Sequence, residues 1–364
     1  MKKMLILSVF PAPYRTKLFQ RFKEFYDIDV FFERDNDDNR TAEWFVNEGF
    51  TILNTKETRK KYRKAVSHIR KYDLVALYDY TSPRSILLII LCILLRKQFV
   101  VNCDGVILGK KNNKVNDTIK RALLPHASAC FASGQYAKQY FLSYGVREEK
   151  IHIHHFTTLE ENDILDKPIT EEEKNDIRSR FGIPKEVTVF IAVGRFIALK
   201  NYQWLLKGWP NKSEFYLLLI GGGEEKKEYE EIIKERGLEN VRIYEYMPKK
   251  EILSYLKTAD YFIHPTTYDA WGLVINEALS QGIPCLVSNK CVAGLELIKD
   301  EYNGLIFDYD KDTVPDILQK SAELLNKSDI HLGENSLESI QDYTYEQMAH
   351  THLRAFNSLL SNNH

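Results

Sequence analysis

Two cations, Arg195 and Lys200, stand in the short segment Gly194-Arg-Phe-Ile-Ala-Leu-Lys-Asn201. The apolar run Val187–Val193 precedes them and reads as a buried strand. A guanidinium fork and an ammonium point charge at the end of such a strand suit a diphosphate. Further along, Asp269 and Glu277 bracket the start of a second predicted element, in Asp269-Ala-Trp-Gly-Leu-Val-Ile-Asn-Glu277. Leu273, Val274, Ala278 and Leu279 recur there at helical spacing. Gly282 and Pro284 then end the helix. Gly272 removes side-chain bulk where the first amides of the helix would be exposed. A helix start of this kind attracts phosphate through unpaired N–H groups and the positive end of the dipole. An acid two turns in, Glu277, is placed to grip hydroxyls of a ribose or a sugar. Ile220-Gly-Gly-Gly-Glu224 ends another predicted strand and permits close backbone approach to a ligand. Read together, these loops make a nucleotide-sugar site. The competing reading is an ordinary strand–loop–helix with solvated acids.

The first half offers fewer chemical groups. Asp104, in Cys103-Asp-Gly105, follows an apolar run and could orient or deprotonate an incoming hydroxyl. Turn aspartates beside glycine are common, so a structural role stays open. Pro11-Ala-Pro-Tyr-Arg15 is a stiff loop, with Arg15 near a helix start where it could meet a phosphate or simply face solvent. Asp35-Asn36-Asp37 has acid-x-acid metal spacing but lies in a strongly polar loop, so no metal is expected there. His152, His154 and His155 crowd one predicted strand without a carboxylate partner, and read as packing. The five cysteines form no CxxC pair and no zinc spacing. They read as reduced, buried thiols of a cytoplasmic protein.

The elements that must position these groups alternate. Strands are expected at 5–10, 28–32, 50–53, 74–78, 99–102, 129–132 and 151–155, then at 187–193, 215–220, 241–244, 261–264 and 285–287. Helices fill the gaps, which predicts an α/β fold of parallel sheets covered on both faces. Ligands in such sheets sit beyond the strands' carboxyl ends. An acidic stretch, Leu159 to Asp176, is the sharpest change of composition, and Thr170-Glu-Glu-Glu173 inside it is a capping box. It divides the chain into Rossmann-like domains at 1–165 and 166–342, expected to face a cleft, with an amphipathic helix at 343–364.

At 364 residues and 44% apolar content, two such domains can each bury a core. A net charge of -1 and the lack of a recognition motif argue against nucleic acid as a partner. Arg59, Lys60, Lys61, Arg63 and Lys64, with Lys110 and Lys111 later, form basic clusters that suit a solvated face, an anionic membrane surface or a phosphate-bearing acceptor. The run Ile86–Leu95 is about half the roughly 20 residues a membrane span needs, and predicts a buried helix.

The ordered set Gly194-Arg195…Lys200-Asn201, Gly221-Gly222-Gly223, Tyr246-Met-Pro-Lys249, Asp269-x7-Glu277 and Gly282-Ile-Pro284 resembles the family-four glycosyltransferases, which have the GT-B fold. The resemblance covers the second half and is weaker in the first. It implies a retaining, metal-independent transfer of a sugar from a nucleoside-diphosphate sugar to an acceptor hydroxyl, with no further cofactor. Such an enzyme would build a surface polysaccharide or glycolipid, and a lipid-linked acceptor implies a peripheral place at the membrane. By resemblance, Arg195 and Lys200 hold the diphosphate, Glu277 the ribose, and Asp269 the transferred sugar, where the family has the longer glutamate. Gly194, Gly222 and the amides of Trp271, Gly272 and Leu273 line the donor site, and Tyr246 and Met247 meet the base. Asp104 stands about where the family often has a histidine, with Tyr14 and Arg15 on the acceptor side. The C-terminal helix is implied to return to the first domain. A nucleotide-sugar epimerase of the same fold and a non-catalytic nucleotide-sugar-binding protein are the alternatives.

Overall fold

A computed structural model of the chain describes residues 1–36, 45, 47–106, 114–327 and 329–361. Asp37, Lys110 and Lys111 lie outside the described residues. The chain forms two compact units: Met1–Thr158 with Thr344–His364, and Leu159–Tyr343. The break falls at Thr158–Leu159 rather than after residue 165. The reason is local: the Leu165 N–H donates to Ser280 O at 3.0 Å, Lys249 pairs with Asp163 at 2.6 Å, and Leu159 is fully buried. The acidic stretch is therefore part of the second unit.

The first unit runs β1 (Lys3–Ser8), α1 (Pro13–Lys23), β2 (Asp27–Phe32), β3 (Thr51–Ile52), α2 (Lys56–Ser67), β4 (Leu74–Leu77), α3 (Pro83–Leu94), β5 (Phe99–Cys103), α4 (Lys114–Leu123), β6 (Ala129–Ala132), α5 (Gln135–Ser143) and β7 (Ile151–Ile153). Its strands pair in parallel in the order β3-β2-β1-β4-β5-β6-β7. Apolar runs buried on both faces, such as Met4–Leu7 and Leu74–Leu77, are what a covered parallel sheet requires. The predicted strand at 50–53 shrinks to two paired residues. Helix α2 starts at Lys56, where Thr55 and Thr58 form a capping box, and breaks at His68. Helix α3 departs from the buried helix expected of its sequence. Leu88, Ile89 and Cys92 pack inward, while Leu87 and Leu94 stand 66% and 74% exposed. A helix on a sheet can bury one stripe only, whatever lies on the other side.

The second unit runs α6 (Glu171–Phe181), β8 (Thr188–Val193), α7 (Tyr202–Gly208), β9 (Phe215–Ile220), α8 (Lys226–Arg236), β10 (Val241–Tyr244), α9 (Lys249–Leu256), β11 (Tyr261–His264), α10 (Leu273–Ser280), β12 (Cys285–Ser288), α11 (Val292–Leu297), β13 (Gly304–Phe307), α12 (Val314–Leu325) and α13 (Leu332–Ile340). The strand order is β10-β9-β8-β11-β12-β13, again parallel. Its core gathers Phe190, Tyr202, Trp209, Tyr229 and Tyr261. Buried Arg178 ties α6 to the sheet, bonding Asp260 Oδ2 at 2.7 Å and Thr258 O at 2.8 Å. The last helix, α14 (Tyr345–Ser361), belongs to the first unit. There Phe356 meets Phe22 at 5.3 Å, and His352 Nε2 lies 3.1 Å from Asn102 Oδ1.

Each sheet reverses its winding direction once, between β1 and β4 in the first unit and between β8 and β11 in the second. Loops leaving two adjacent strands in opposite directions open a crevice, and open α/β sheets bind ligands there.

Candidate functional site

At the reversal in the second unit, the loop after β8 meets the loop after β11. Leu199 O accepts from Thr266 Oγ1 at 2.8 Å and from the Thr267 N–H at 2.9 Å, which laces the two together. The β8 loop turns back on itself through Asn201, whose φ of 58° is left-handed, and this delivers Lys200 to the crevice. Lys200 Nζ lies 2.5 Å from Asp269 Oδ2. His264, the last residue of β11, places Nε2 3.2 Å from the same oxygen. The Trp271 N–H approaches the other oxygen of Asp269 at 3.4 Å.

Electrostatics follow from this packing. Burial opposes the charge on Asp269, but the Lys200 ammonium and the His264 ring together hold its carboxyl well below the usual carboxylate range. Burial and the Lys200 charge push His264 down, against the pull of Asp269, so the ring stays neutral near pH 7. Its Nδ1 is buried without a partner among the described residues.

Gly272 has φ of 106°, and a Cβ there would lie 2.7 Å from Cys291 Sγ. Glycine is thus required both by conformation and by space. Helix α10 follows with no side-chain cap, so its leading amides are offered outward. The Trp271 indole N–H bonds buried Asn276 Oδ1 at 3.0 Å, which fixes the turn from behind. Leu273 and Glu277 are part-buried on this helix.

Two further loops end beside β8. Gly221 and Gly223 have left-handed φ of 153° and 152°, and a Cβ on either would strike the backbone of Gly194 or Phe196. Gly222 O accepts from the Phe196 N–H at 2.8 Å, so the cation loop and the glycine loop pack main chain to main chain. After β10, Tyr246 is 70% exposed and Met247 is 8% exposed. Arg195 and Gly194 are part-buried in the β8 loop.

His264, Asp269 and Cys291 each bring one ligand atom within 4.8 Å of the others, the one such trio among the described residues. Its chemistry does not favour a metal. Lys200 already supplies a cation to Asp269, and burial beside that carboxylate pushes the Cys291 thiol far up, where it donates to Trp271 O at 3.0 Å.

The candidates of the first unit meet at its own reversal. Arg15 binds Asp104 through Nε at 3.1 Å and Nη2 at 2.6 Å, and its Nη1 reaches Ser8 Oγ at 2.8 Å and Tyr78 O at 2.5 Å. Asn102 donates to the remaining oxygen of Asp104 and joins it to His352. Asp104 therefore anchors Arg15, which leaves little of it to take a proton from a hydroxyl. Tyr14 packs edge-on against Phe156 at 5.1 Å. His154 is buried against His352 and held down to about 3, chiefly by that burial.

Sequence reasoning missed His264, Asn276 and Cys291. The first hides at the end of an apolar strand, and only its spacing of five from Asp269 could have drawn attention to it.

Residues 173–347 match the family described as Glycosyl transferases group 1. An uncharacterised glycosyltransferase of Methanocaldococcus jannaschii is 29% identical over 146 residues, 39% of this chain and 37% of that protein. The amylovoran biosynthesis glycosyltransferase AmsD of Erwinia amylovora is 33% identical over 121 residues, 33% of this chain and 34% of its own length. Among the first curated relatives the chain spans between 34% and 64% of their length. The crystal structure of Anabaena HepE in complex with UDP superposes with a TM-score of 0.75 at 16% identity, covering 98% of this chain and 100% of that one. The Lys200, glycine and Asp269 loops all lie inside the matched segment. The matched segment, just under half of the chain, is similar to the group 1 glycosyltransferases, and the chain's two parallel-sheet units share the GT-B fold.

Proposed function

We propose that the chain transfers a sugar from a nucleoside-diphosphate sugar to an acceptor hydroxyl, in the building of a surface polysaccharide or glycolipid. The observation that carries this is the meeting of Lys200, Asp269 and the uncapped start of α10 at one sheet reversal. A cation and a row of amides suit a diphosphate, and the neighbouring carboxylate suits sugar hydroxyls. The amylovoran relative supports the class of acceptor.

In the proposed reaction the bond between the anomeric carbon and the diphosphate oxygen breaks. Lys200, Arg195 and the amides of Gly272 and Leu273 take up the charge that develops on the leaving oxygens. One such group is worth on the order of 2–4 kcal/mol of barrier. The acceptor oxygen bonds the anomeric carbon on the face the diphosphate leaves, retaining configuration, and its proton passes to the departing phosphate. Asp269 would hold sugar hydroxyls, Glu277 the ribose, and Tyr246 and Met247 the base, with Gly194 and Gly222 allowing close approach. Arg15 and Tyr14 would border the acceptor, with Asp104 fixing Arg15. Fixed cations neutralise the phosphates, so transfer should survive a chelator.

The test is a panel of nucleoside-diphosphate sugars scored by thermal stabilisation. At a hundred times Kd the correct donor adds about 2.7 kcal/mol. For a unit of this size that raises Tm by about 5–10 °C. If no nucleotide sugar moves the transition, the reading fails.

A further inference from the structure

Two residues past Lys200 the chain enters α7 at Tyr202. The left-handed turn at Asn201 leaves Lys200 in the crevice and puts the Tyr202 ring in the core, edge-on to Phe196 at 5.9 Å and to Tyr229 at 6.2 Å. Three tyrosines of the second unit have no exposed surface: Tyr202, Tyr229 and Tyr261. The Tyr229 hydroxyl donates to Glu225, and the Tyr261 hydroxyl donates to Ser321 O at 2.9 Å. The Tyr202 hydroxyl has no partner among the described residues. A buried hydroxyl left unpaired costs stability, so folded proteins keep few of them.

That hydroxyl ends against Gly194. A Cβ on Gly194 would lie 2.8 Å from it and 3.8 Å from Lys200 Cε. The main chain there is pinned, because the Gly194 N–H donates to Ile220 O at 3.0 Å and the Gly194 carbonyl abuts Gly221. Glycine at 194 therefore admits the phenol to the loop after β8, on the side where the Lys200 stem lies. Burial, with the charge of Asp269, keeps the phenol protonated at ordinary pH, so it has a proton to donate.

We infer that the Tyr202 hydroxyl is a binding group for the diphosphate, covered by the Lys200 stem in the empty protein and uncovered when Lys200 leaves Asp269. The inference rests on the nucleotide-sugar reading above. Lys200 and Asp269 satisfy each other until another anion arrives. A phosphate oxygen that draws the ammonium away also lifts the stem, and so comes within reach of a hydroxyl that lacks an acceptor. A bond from that hydroxyl to a phosphate is charge-assisted and stronger than one between neutral groups. The empty protein carries the cost of the unmet hydroxyl, and the loaded protein recovers it. Stability is commonly given up in this way at a prepared site. A water buried beside Tyr202 would satisfy the hydroxyl in the empty protein instead, and the two cases differ in the sign of their effect on stability.

The experiment compares the full chain with its Tyr202→Phe variant, by calorimetry with UDP, ADP, GDP and inorganic pyrophosphate and by thermal unfolding without ligand. Tyr202→Phe should weaken the diphosphate that binds the wild type by about tenfold or more, the worth of a hydrogen bond to a charged group. The same variant should raise the Tm of the transition that this diphosphate shifts, by roughly 2–6 °C, because it removes an unpaired group from the core. Gly194→Ala tests the geometry. It should lower that Tm in the wild type and lower it less beside Tyr202→Phe, where the atom 2.8 Å from the new methyl is gone. Equal diphosphate affinity in wild type and Tyr202→Phe overturns this inference alone and leaves the nucleotide-sugar reading standing. So does a lower Tm for Tyr202→Phe, which would show the hydroxyl already paired in the empty protein, or an equal cost of Gly194→Ala in both backgrounds. If none of the four probes binds the wild type, the nucleotide-sugar reading falls and this inference falls with it.

Discussion

Replacing Lys200 by methionine removes an ammonium that lies 2.5 Å from Asp269 Oδ2 while keeping most of the side chain's volume. At that distance an effective dielectric of about 20 gives a gross attraction of about 6–7 kcal/mol. Two costs offset it. Ordering a lysine side chain costs up to about 2 kcal/mol. Removing both ions from water costs more, moderated here because the two side chains keep 13% and 19% of their exposure. A net coupling of about 2–3 kcal/mol remains. The assay is a double-mutant cycle in urea at pH 7 on wild type, Lys200→Met, Asp269→Asn and the pair. Two units can unfold separately, so the transition scored is the one both single variants shift. The pH dependence has a definite sign. Asp269 is held below its unfolded range, so its contribution is complete above an unfolded pKa of about 3.9 and is lost as pH falls beneath it. Without Lys200, burial acts on the carboxyl with less opposition, so its folded pKa rises toward or above the unfolded one and the variant has less stability to lose as pH falls. The stability gap between wild type and Lys200→Met should therefore narrow as pH falls through about 4. A coupling below about 0.5 kcal/mol, or a gap that widens in acid, would refute the pair as the organising contact of the crevice.

Three other outcomes follow from the same geometry. Asp269→Asn removes a negative charge beside Lys200, so calorimetry should show a nucleoside diphosphate binding several-fold tighter while sugar transfer falls; weaker diphosphate binding would sink the assignment of Lys200. Gly272→Ala forces a side chain to φ of 106° and to 2.7 Å from Cys291 Sγ, costing about 1–3 kcal/mol of stability, and adding Cys291→Ala should recover the steric part but not the conformational one. Arg15→Met strands Asp104 in a setting where it is 18% exposed, costing about 3–5 kcal/mol in chemical denaturation, whereas Arg15→Met with Asp104→Leu should cost much less; equal losses would show that the two do not act as a pair.

The sheets were legible because parallel strands buried on both faces read as unbroken apolar runs, such as Phe215-Tyr-Leu-Leu-Leu-Ile220 and Ala129-Cys-Phe-Ala132. Strand β13, Gly304-Leu-Ile-Phe307, escaped notice because four residues at a sheet edge give too short a pattern. Helices α11 and α13 did so because one has six residues and the other interleaves Gly333, Glu334, Asn335 and Ser336 with its apolar positions. At the site, spacing within one loop was readable, and contact between loops was not. Lys200 and Asp269 are 69 residues apart, and Arg15 and Asp104 are 89 apart. Only the strand order brings each pair together, and no local periodicity encodes strand order.

That order also explains why two similar ion pairs have different capacities. In each unit a cation that follows the first central strand, Arg15 in the first turn of α1 and Lys200 in the loop after β8, meets a carboxylate from a loop across the reversal. Arg15 uses its planar fork on four bonds, to both the carboxylate and two neighbouring oxygens, one of them the Tyr78 carbonyl. Pulling it away would leave several part-buried acceptors unsatisfied, each costing about 1–3 kcal/mol. The Lys200 ammonium is a point charge on a flexible stem, and its partner is a carboxylate that His264 and the Trp271 amide also serve. An arriving diphosphate can therefore draw Lys200 over without stranding Asp269. The first pair is built to hold a loop, and the second to exchange one anion for another.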